Sequence, residues 1–234
     1  MNIKSRSPLL LFAFTLALAG CAAQQKDDIA TQEQYSGYLD NYAELKEVEN
    51  KTTGQEWLRW ISPDLKPGDY TKVYPKPTIF YPKIDPQKLA SKDVLIQIRD
   101  YFSDAVKKDL DAAGMLADGP GPGVLEIQYA ITGVYIGDEG MKAIELLPVA
   151  AVIGLGQAAT CTRDQIVQLV VEGKATDSES GKSVAEAIYK GVGKDLPNDT
   201  TQLTADDVKP VLDSWAANMA QQAKNLLTGE RSSE

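Results

Sequence analysis

The sequence contains no histidine, the side chain used most often for acid–base catalysis near neutral pH. Its absence excludes Ser-His-Asp and Cys-His catalytic sites, zinc held by histidine and haem held by histidine. Only two cysteines are present, and aromatic residues make up 7% of the 234 positions. Apolar residues at 43% and charged residues at 24% are nevertheless ordinary for a globular protein. A conventional hydrophobic core is therefore expected.

Excess positive charge is also missing. The chain has 24 Lys and Arg against 33 Asp and Glu, which gives a net charge of −9. Residues 1–20 hold Lys4 and Arg6 and no acid, so without them 22 basic side chains remain and the net charge is −11. A protein that grips nucleic-acid phosphates needs a basic face, and so does one drawn to anionic lipid by charge. We therefore expect no nucleic-acid partner.

No apolar run is long enough to cross a bilayer as a helix. The best N-terminal candidate, Pro8 to Ala19, has about twelve residues, whereas a span of ~30 Å needs roughly 20. It follows a short basic stretch and ends in small residues, which is typical of a secretory signal. We predict that residues 1–20 are a signal peptide.

The end of this run, Leu18-Ala19-Gly20-Cys21, resembles the bacterial lipobox. Small residues fit the signal-peptidase pocket, and the thiol that follows accepts the lipid. We therefore predict lipidation of Cys21, with the membrane as a partner through this lipid; two acyl chains already anchor a protein stably. Ala22, rather than Asp, follows the cysteine, and the resemblance to sorted lipoproteins then implies the outer membrane, facing the periplasm.

Acylation of Cys21 would leave Cys161 without an intrachain partner. An odd cysteine in an oxidising compartment is either buried or paired between chains. Cys161 lies beside an apolar stretch, so we expect it to be buried and inert. A reactive thiol needs a base or a cation nearby, and Arg163 is the only cation close in sequence. No catalytic residue is predicted.

The mature chain is expected to form a tether at 21–34, a single periplasmic domain at 35–228 and a disordered tail at 229–234. Helical periodicity predicts a helix over 89–113 that stops at Gly114, and a second over 204–228 that starts near 209 because of Pro210. Alternation of apolar residues predicts strands at 125–132, 167–176 and 183–190, with a short helix as the alternative for the last.

Two further segments border the predicted domain. Tyr38, Leu39, Tyr42 and Leu45 recur at helical spacing, which predicts a short amphipathic turn that docks on the domain. Pro63 to Pro86 is rich in proline and predicts an edge strand or an extended cover, with a ligand for an SH3-like domain as the alternative. The fold class expected is α+β: an antiparallel sheet of about four strands with two long helices on one face.

Several motifs partly match the patterns of known functional sites. Ala143 to Ala159 is apolar but short, and its Gly154-x-Gly156-x-x-Ala159 lacks the strand–turn–helix context of a dinucleotide site. We expect a crossover between strands there, or else an apolar contact with membrane or partner. Asp177 to Gly181 fails the EF-hand spacing and is expected to be a hairpin turn. The adjacent acids Asp138-Glu139 and Asp206-Asp207 are expected to be solvated. No metal or cofactor is predicted.

The lipobox at 18–21, the pattern Ser36-Gly-Tyr-Leu-Asp40-x-Tyr42-x-x-Leu45, the Pro-rich stretch after Trp60 and Asp177-Ser-Glu-Ser-Gly-Lys182 occur in this order. Together they resemble the bacterial lipoprotein family known as domain of unknown function 3313, over roughly 35–228. Phe is commoner in that family where Tyr38 stands here. The resemblance implies an envelope lipoprotein and supplies no catalytic residues.

The function expected from the sequence is therefore a non-enzymatic envelope module that binds an envelope component or another protein. One alternative is an auxiliary subunit of an envelope transport or assembly system, using 143–159 as its contact. The other is a histidine-free hydrolase that uses carboxylates, which would need acids that converge in one cleft.

Overall fold

The computed structural model of the chain describes residues 29–82, 92–138, 165–197 and 201–229. The predicted signal peptide, Cys21, Cys161, the apolar segment 143–159 and most of the C-terminal tail lie outside the described residues. The predictions made for them stay predictions.

One sheet forms the centre of the described residues. Its strand order is β1-β2-β7-β6-β5-β3, and β4 lies beside β5 after β3. The strands are β1 (Lys46–Glu49), β2 (Glu56–Ile61), β3 (Lys72–Pro75), β4 (Ile79–Phe80), β5 (Val124–Asp138), β6 (Gln165–Asp177) and β7 (Ser183–Val192). The predicted hairpin at 177–181 joins β6 and β7, and the prediction of a strand over 183–190 is confirmed.

The expected antiparallel sheet of about four strands is wrong in size and in kind. Seven strands are described, and β3 and β4 both run parallel to β5. A parallel connection needs a crossover, and the helix between β4 and β5 supplies it. The sequence conceals these strands because β1 reads Lys-Glu-Val-Glu without apolar alternation, and because β3 ends at Pro75 and Pro77 separates it from the two-residue β4.

The Pro-rich segment is an edge strand, as predicted. The Lys76 amide points toward β5 and donates to the Ile127 carbonyl at 2.8 Å. Pro75 and Pro77, on either side of it, have no amide to donate and stand where the ladder with β5 does not need one. On the side of β3 away from β5, the Val73 amide donates to the Met115 carbonyl, and the Val73 carbonyl accepts from the Ala117 amide. Proline thus blunts this edge against pairing with another chain.

Two helices, α1 (Lys92–Ala112) and α2 (Lys209–Thr228), contact each other and cover one face of the sheet. The predicted apolar stripe of α1 is buried, including Phe102, and α2 buries Trp215. Thr204 and Asp207 form a capping box around one 3-10 turn, and α2 then begins at Lys209, as predicted, with Pro210 in its first turn.

Two glycines let aromatic rings lie directly on the sheet backbone. A Cβ on Gly173 would stand 2.6 Å from the ring of Tyr129, and one on Gly191 would stand 2.8 Å from the ring of Trp215. Any larger residue at either position would displace a ring from the core. The first contact joins neighbouring strands, since Tyr129 is the cross-strand partner of Gly173, and the second lets α2 approach β7 closely.

Neither helix of the described chain combines the length and the apolar character that a bilayer crossing requires.

Candidate functional site: the strap face of the sheet

Residues 29–45, here called the strap, cover the sheet face opposite the helices. A second cluster of buried apolar residues lies beneath them, separate from the main core: Ala30, Leu39, Leu58, Val170 and Ile188. Tyrosines 35, 38 and 42 pack around this cluster. The docked segment begins inside the range 21–34 that the sequence assigns to the tether.

The strap forms almost no regular structure. Gln32–Gln34 and Tyr42–Glu44 are single 3-10 turns, and Gly37 between them has a φ of 85°, which favours glycine. The backbone hydrogen bonds made within the strap stay within it. Among the described residues, no backbone–backbone hydrogen bond joins the strap to a strand, so side chains hold it in place.

Glu172 of β6 is the first of two buried carboxylates beneath the strap. It is 0% exposed and accepts hydrogen bonds from the Ser36 amide at 3.0 Å and the Tyr42 hydroxyl at 2.5 Å. Burial raises the pKa of Glu172 above its usual value, and the bonds from Tyr42 and Ser36 act in the opposite direction. The carboxylate is thus tolerated in the interior because strap donors satisfy it.

Glu186 of β7 is the second carboxylate, at 1% exposure. It accepts the backbone amides of Asp40 (3.2 Å) and Asn41 (2.8 Å), the Asn41 side-chain amide (2.9 Å) and the Ser183 hydroxyl (3.0 Å). Charge-assisted hydrogen bonds are roughly twice as strong as neutral ones. Glu186 therefore acts as the main polar receptor for the middle of the strap.

Tyr42 organises the strap around Glu172. Besides donating to that carboxylate, its hydroxyl oxygen accepts the amides of Gly37 at 2.9 Å and Leu39 at 3.2 Å. The ring of Tyr35 stacks on it with centroids 4.7 Å apart. Burial, followed by the hydrogen bond to Glu172, raises the pKa of Tyr42. The hydroxyl consequently stays protonated and keeps its donor at any physiological pH.

Lys174 and Tyr38 fasten the edge of the strap. The Lys174 ammonium pairs with the Asp40 carboxylate at 2.8 Å and lies 5.1 Å from the centre of the Tyr38 ring. The Tyr38 hydroxyl donates to Gln128, and its ring lies 5.4 Å from that of Tyr81. Burial, with smaller contributions from Glu172 and Asp40, raises the pKa of Tyr38 to about 12. Each polar residue of the Ser36–Tyr42 pattern thus has a partner on or near the sheet.

The predicted docking of Tyr38, Leu39, Tyr42 and Leu45 is confirmed, although only one turn of 3-10 helix forms. The receptor was missed, because alternation in β6 placed Glu172 on a polar face expected to meet solvent. A signal was present: Glu172 and Glu186 fall on the same face of the predicted hairpin, where Lys174 and Glu186 stand directly opposite. Two acids and a lysine on adjacent strands can receive a polar segment.

A groove of about 730 Å³ lies on the other side of the molecule. One wall is α1 and the other is the edge segment 74–78, with 116–118 at one end. Tyr74, Val106 and Leu116 contribute apolar surface, and Asp104 and Lys107 contribute charges of both signs. Its volume is in the range of small-molecule and peptide sites.

The motifs predicted to be structural behave as turns and caps. Asp177 accepts hydrogen bonds from Ser180 within the hairpin turn, and these bonds lower the pKa of Asp177. Asp206 pairs with Lys209. Within the described part of the chain, no group of three or more His, Cys, Asp or Glu side chains is arranged to hold a metal ion.

Comparison with known proteins identifies the family. The chain matches the family described as protein of unknown function (DUF3313) over residues 34–219. The chain belongs to this family. The matched region begins inside the strap, so the Ser36–Leu45 pattern and its carboxylate receptors are within it.

One relative is the uncharacterized lipoprotein YdcL of Escherichia coli K12, which is 34% identical over 203 residues, covering 87% of this chain and 89% of the relative. Among solved structures, the PelC dodecamer from Paraburkholderia phytofirmans is similar with a TM-score of 0.34, at 10% identity over 74% of this chain and 96% of that chain. A minor lipoprotein from Acinetobacter baumannii gives a TM-score of 0.32, at 11% identity over 69% and 93%. At these TM-scores, neither structure bears on the function.

Proposed function

We propose that this chain is an outer-membrane lipoprotein anchored by lipid on Cys21, facing the periplasm and acting as a non-enzymatic binding or structural module. The lipoprotein character is shared with YdcL, its family relative. The observation that carries the proposal is the strap: the residues that follow the anchor by sequence are fastened to the folded sheet by Glu172 and Glu186. Such fastening gives the anchored end a defined place on the domain.

The state of the two buried carboxylates supports a non-enzymatic role. Acid–base chemistry needs a carboxyl within reach of a substrate proton. The carboxylate oxygens of Glu172 and Glu186 instead accept hydrogen bonds from the strap, and both side chains are buried. Both buried carboxylates thus have a structural task in the docked state.

The groove beside α1 is the surface we assign to binding. It is concave, mixes apolar and charged side chains, and lies on the helix side, away from the strap. A partner seated there would not compete with the anchor-side segment. An envelope protein or another envelope component therefore fits the groove better than the strap face.

Membrane fractionation tests the anchoring and its location. We expect the mature protein in the outer-membrane band of a density gradient, and Cys21→Ser as unprocessed precursor. Ala22→Asp is the matched variant, because it changes the residue after Cys21 and keeps the cysteine. It should be processed normally and shift toward the inner membrane. Normal maturation of Cys21→Ser would refute lipid anchoring, and an inner-membrane location of the wild type would refute the sorting.

Photo-crosslinking in cells tests the groove. A photoreactive residue at Lys107, which lines the groove, should capture a defined envelope component. The same residue at Lys108, one position along α1 and exposed outside the groove lining, is the matched control. Identical products from both positions, or none from Lys107, would argue against binding at the groove.

A further inference from the structure

The strap and the sheet meet through an interface of unusual chemistry. The main core joins helices to sheet through aliphatic and aromatic contacts, whereas the strap rests on a small separate apolar cluster ringed by charged and hydroxyl groups. Two buried carboxylates lie at its centre. Opening this interface would return both carboxylates to water, which offsets much of the cost of breaking their hydrogen bonds.

The sheet itself does not depend on the strap. Ladder hydrogen bonds between β2, β7, β6 and β5 are complete without it, and the opposite face stays covered by α1 and α2. Since no backbone–backbone bond joins strap to strand among the described residues, the strap can leave without breaking a ladder. A region held by a small separate apolar cluster and by side-chain hydrogen bonds is expected to open at a free energy below that of global unfolding.

Chain length makes such opening consequential for an anchored protein. Ala30 is the first buried residue of the strap, and it lies nine positions after Cys21. Nine residues span at most about 30 Å, whatever their conformation. If the strap is released, the first fixed residue becomes Lys46 at the start of β1, and the 25 residues from Cys21 span at most about 85 Å.

We infer that the strap is a reversible latch that sets how far the domain can reach from its membrane: docked, it holds the domain close, and released, it lets the domain extend nearly three times as far. This inference rests on the proposed lipid anchoring at Cys21. Glu186 contributes the main attachment, because it accepts hydrogen bonds from the backbone amides of Asp40 and Asn41 at the centre of the strap. The hydrogen bond from Tyr42 to Glu172 is the second attachment.

Hydrogen exchange on the full-length protein tests whether the latch opens. We expect the amides of Ser36, Asp40 and Asn41 to exchange faster than those of β6 and β7. Glu186→Ala should accelerate these strap amides about tenfold or more and leave the sheet unchanged. Glu126→Ala is the matched control, since Glu126 pairs with Lys76 and makes no described contact with the strap.

Tyr42→Phe is a second variant, placed outside every strand so that the sheet still folds. It removes the donor to Glu172 and the acceptor for two strap amides. It should accelerate strap exchange without changing the urea midpoint. The latch would be overturned if strap and sheet amides exchanged at one common rate and lost protection together in the variants.

Energy transfer from tryptophan to dansyl-labelled lipid, in vesicles carrying the lipidated protein, tests the reach. We expect transfer to fall in Glu186→Ala and Tyr42→Phe relative to wild type and Glu126→Ala. Faster strap exchange with unchanged transfer would overturn the link to reach. Failure of the wild-type protein to bind vesicles would instead refute the lipid anchor, while the exchange result would still decide whether the strap opens.

Discussion

The helices cover one face of the sheet and the strap covers the other, and the two coverings use different physical means. On the helix side, Trp215 lies within 6.4 Å of the Phe102 ring and 6.1 Å of the Tyr189 ring, and glycines bring the rings onto the backbone. On the strap side, carboxylates collect amide and hydroxyl donors. The first face is held by burial of a large apolar core, and the second by a small apolar cluster together with hydrogen bonds that water can replace.

This difference teaches which part of the fold carries stability and which part can move. Apolar burial stabilises by roughly 25 cal/mol per Å² and has no substitute in water. A hydrogen bond exchanged with water contributes only about 0.5–1.5 kcal/mol net, or up to about 3 kcal/mol when one partner is charged. The helix face should therefore fail only with the whole domain, and the strap face should fail first.

The largest effect is expected from Trp215→Ala. Trp215 is 1% exposed, and its loss should lower the free energy of unfolding by about 3–5 kcal/mol. Trp60→Ala is the comparison, since Trp60 is half-buried in the same sheet, and it should cost clearly less. Urea denaturation measures both; a similar cost for the two variants would erase the distinction between the faces.

A matched pair of leucines compares the two faces directly. Leu110 of α1 is 1% exposed and Leu39 of the strap is 5% exposed. Leu110→Ala should cost about 2–5 kcal/mol of unfolding free energy. Leu39→Ala should cost clearly less, because its loss is limited by the free energy of opening the strap. Equal losses in urea denaturation would show that the strap belongs to the global core.

A smaller effect is expected where a methyl group is added beneath a ring. Gly173→Ala places a Cβ 2.6 Å from the Tyr129 ring and should cost about 1–3 kcal/mol. Gly121→Ala is the control, because nothing stands within 4 Å of the added carbon, and it should change stability by less than about 0.5 kcal/mol. A thermal melt that ranks Gly121→Ala as the more destabilising variant would contradict the packing described.

The smallest effect is a dependence of strap docking on pH. Burial raises the pKa of Glu172 in the docked state, so docking binds its proton more tightly than the open state does. This contribution is complete below the ordinary value of 4.5 and is lost as pH rises through the raised value. The other ionisable groups beneath or within this part of the strap are Glu186, Asp40, Lys174 and tyrosines 35, 38 and 42.

Exchange protection of the Ser36 amide, corrected for intrinsic rates, should consequently decline as pH rises from below 4.5 through the raised pKa of Glu172. Glu172→Gln should flatten that decline, because the amide does not titrate. Protection that increases over the same interval in the wild type would assign the opposite sign to Glu172.

Local patterns were sufficient for much of the fold. The stripe of α1, the alternation of β5 and β6, and the hairpin at 177–181 depend on neighbours in sequence, and all were predicted. The parallel strands β3 and β4 were not, because they are defined by pairing with β5 about fifty residues away. A Pro-interrupted segment carries no periodicity that reveals its partner.

The candidate site shows the same limit. The apolar spacing of the strap predicted that it docks, but it could not show where. Glu172 is indistinguishable from a solvent-facing strand residue until its strap partners, 130 and 136 residues earlier, are placed above it. Burial of a polar residue by a distant segment is a tertiary property, and alternation alone assigns such a residue to water.

Docking of the strap affects the reach of the domain from the membrane only if Cys21 carries lipid. The mass of the mature amino terminus is therefore the most direct test of the account. Peptide mass spectrometry of protein extracted from membranes should find a first residue of Cys21 carrying a thioether diacylglycerol. A peptide with a free thiol at Cys21, or a terminus that still includes the residues before it, would contradict the account.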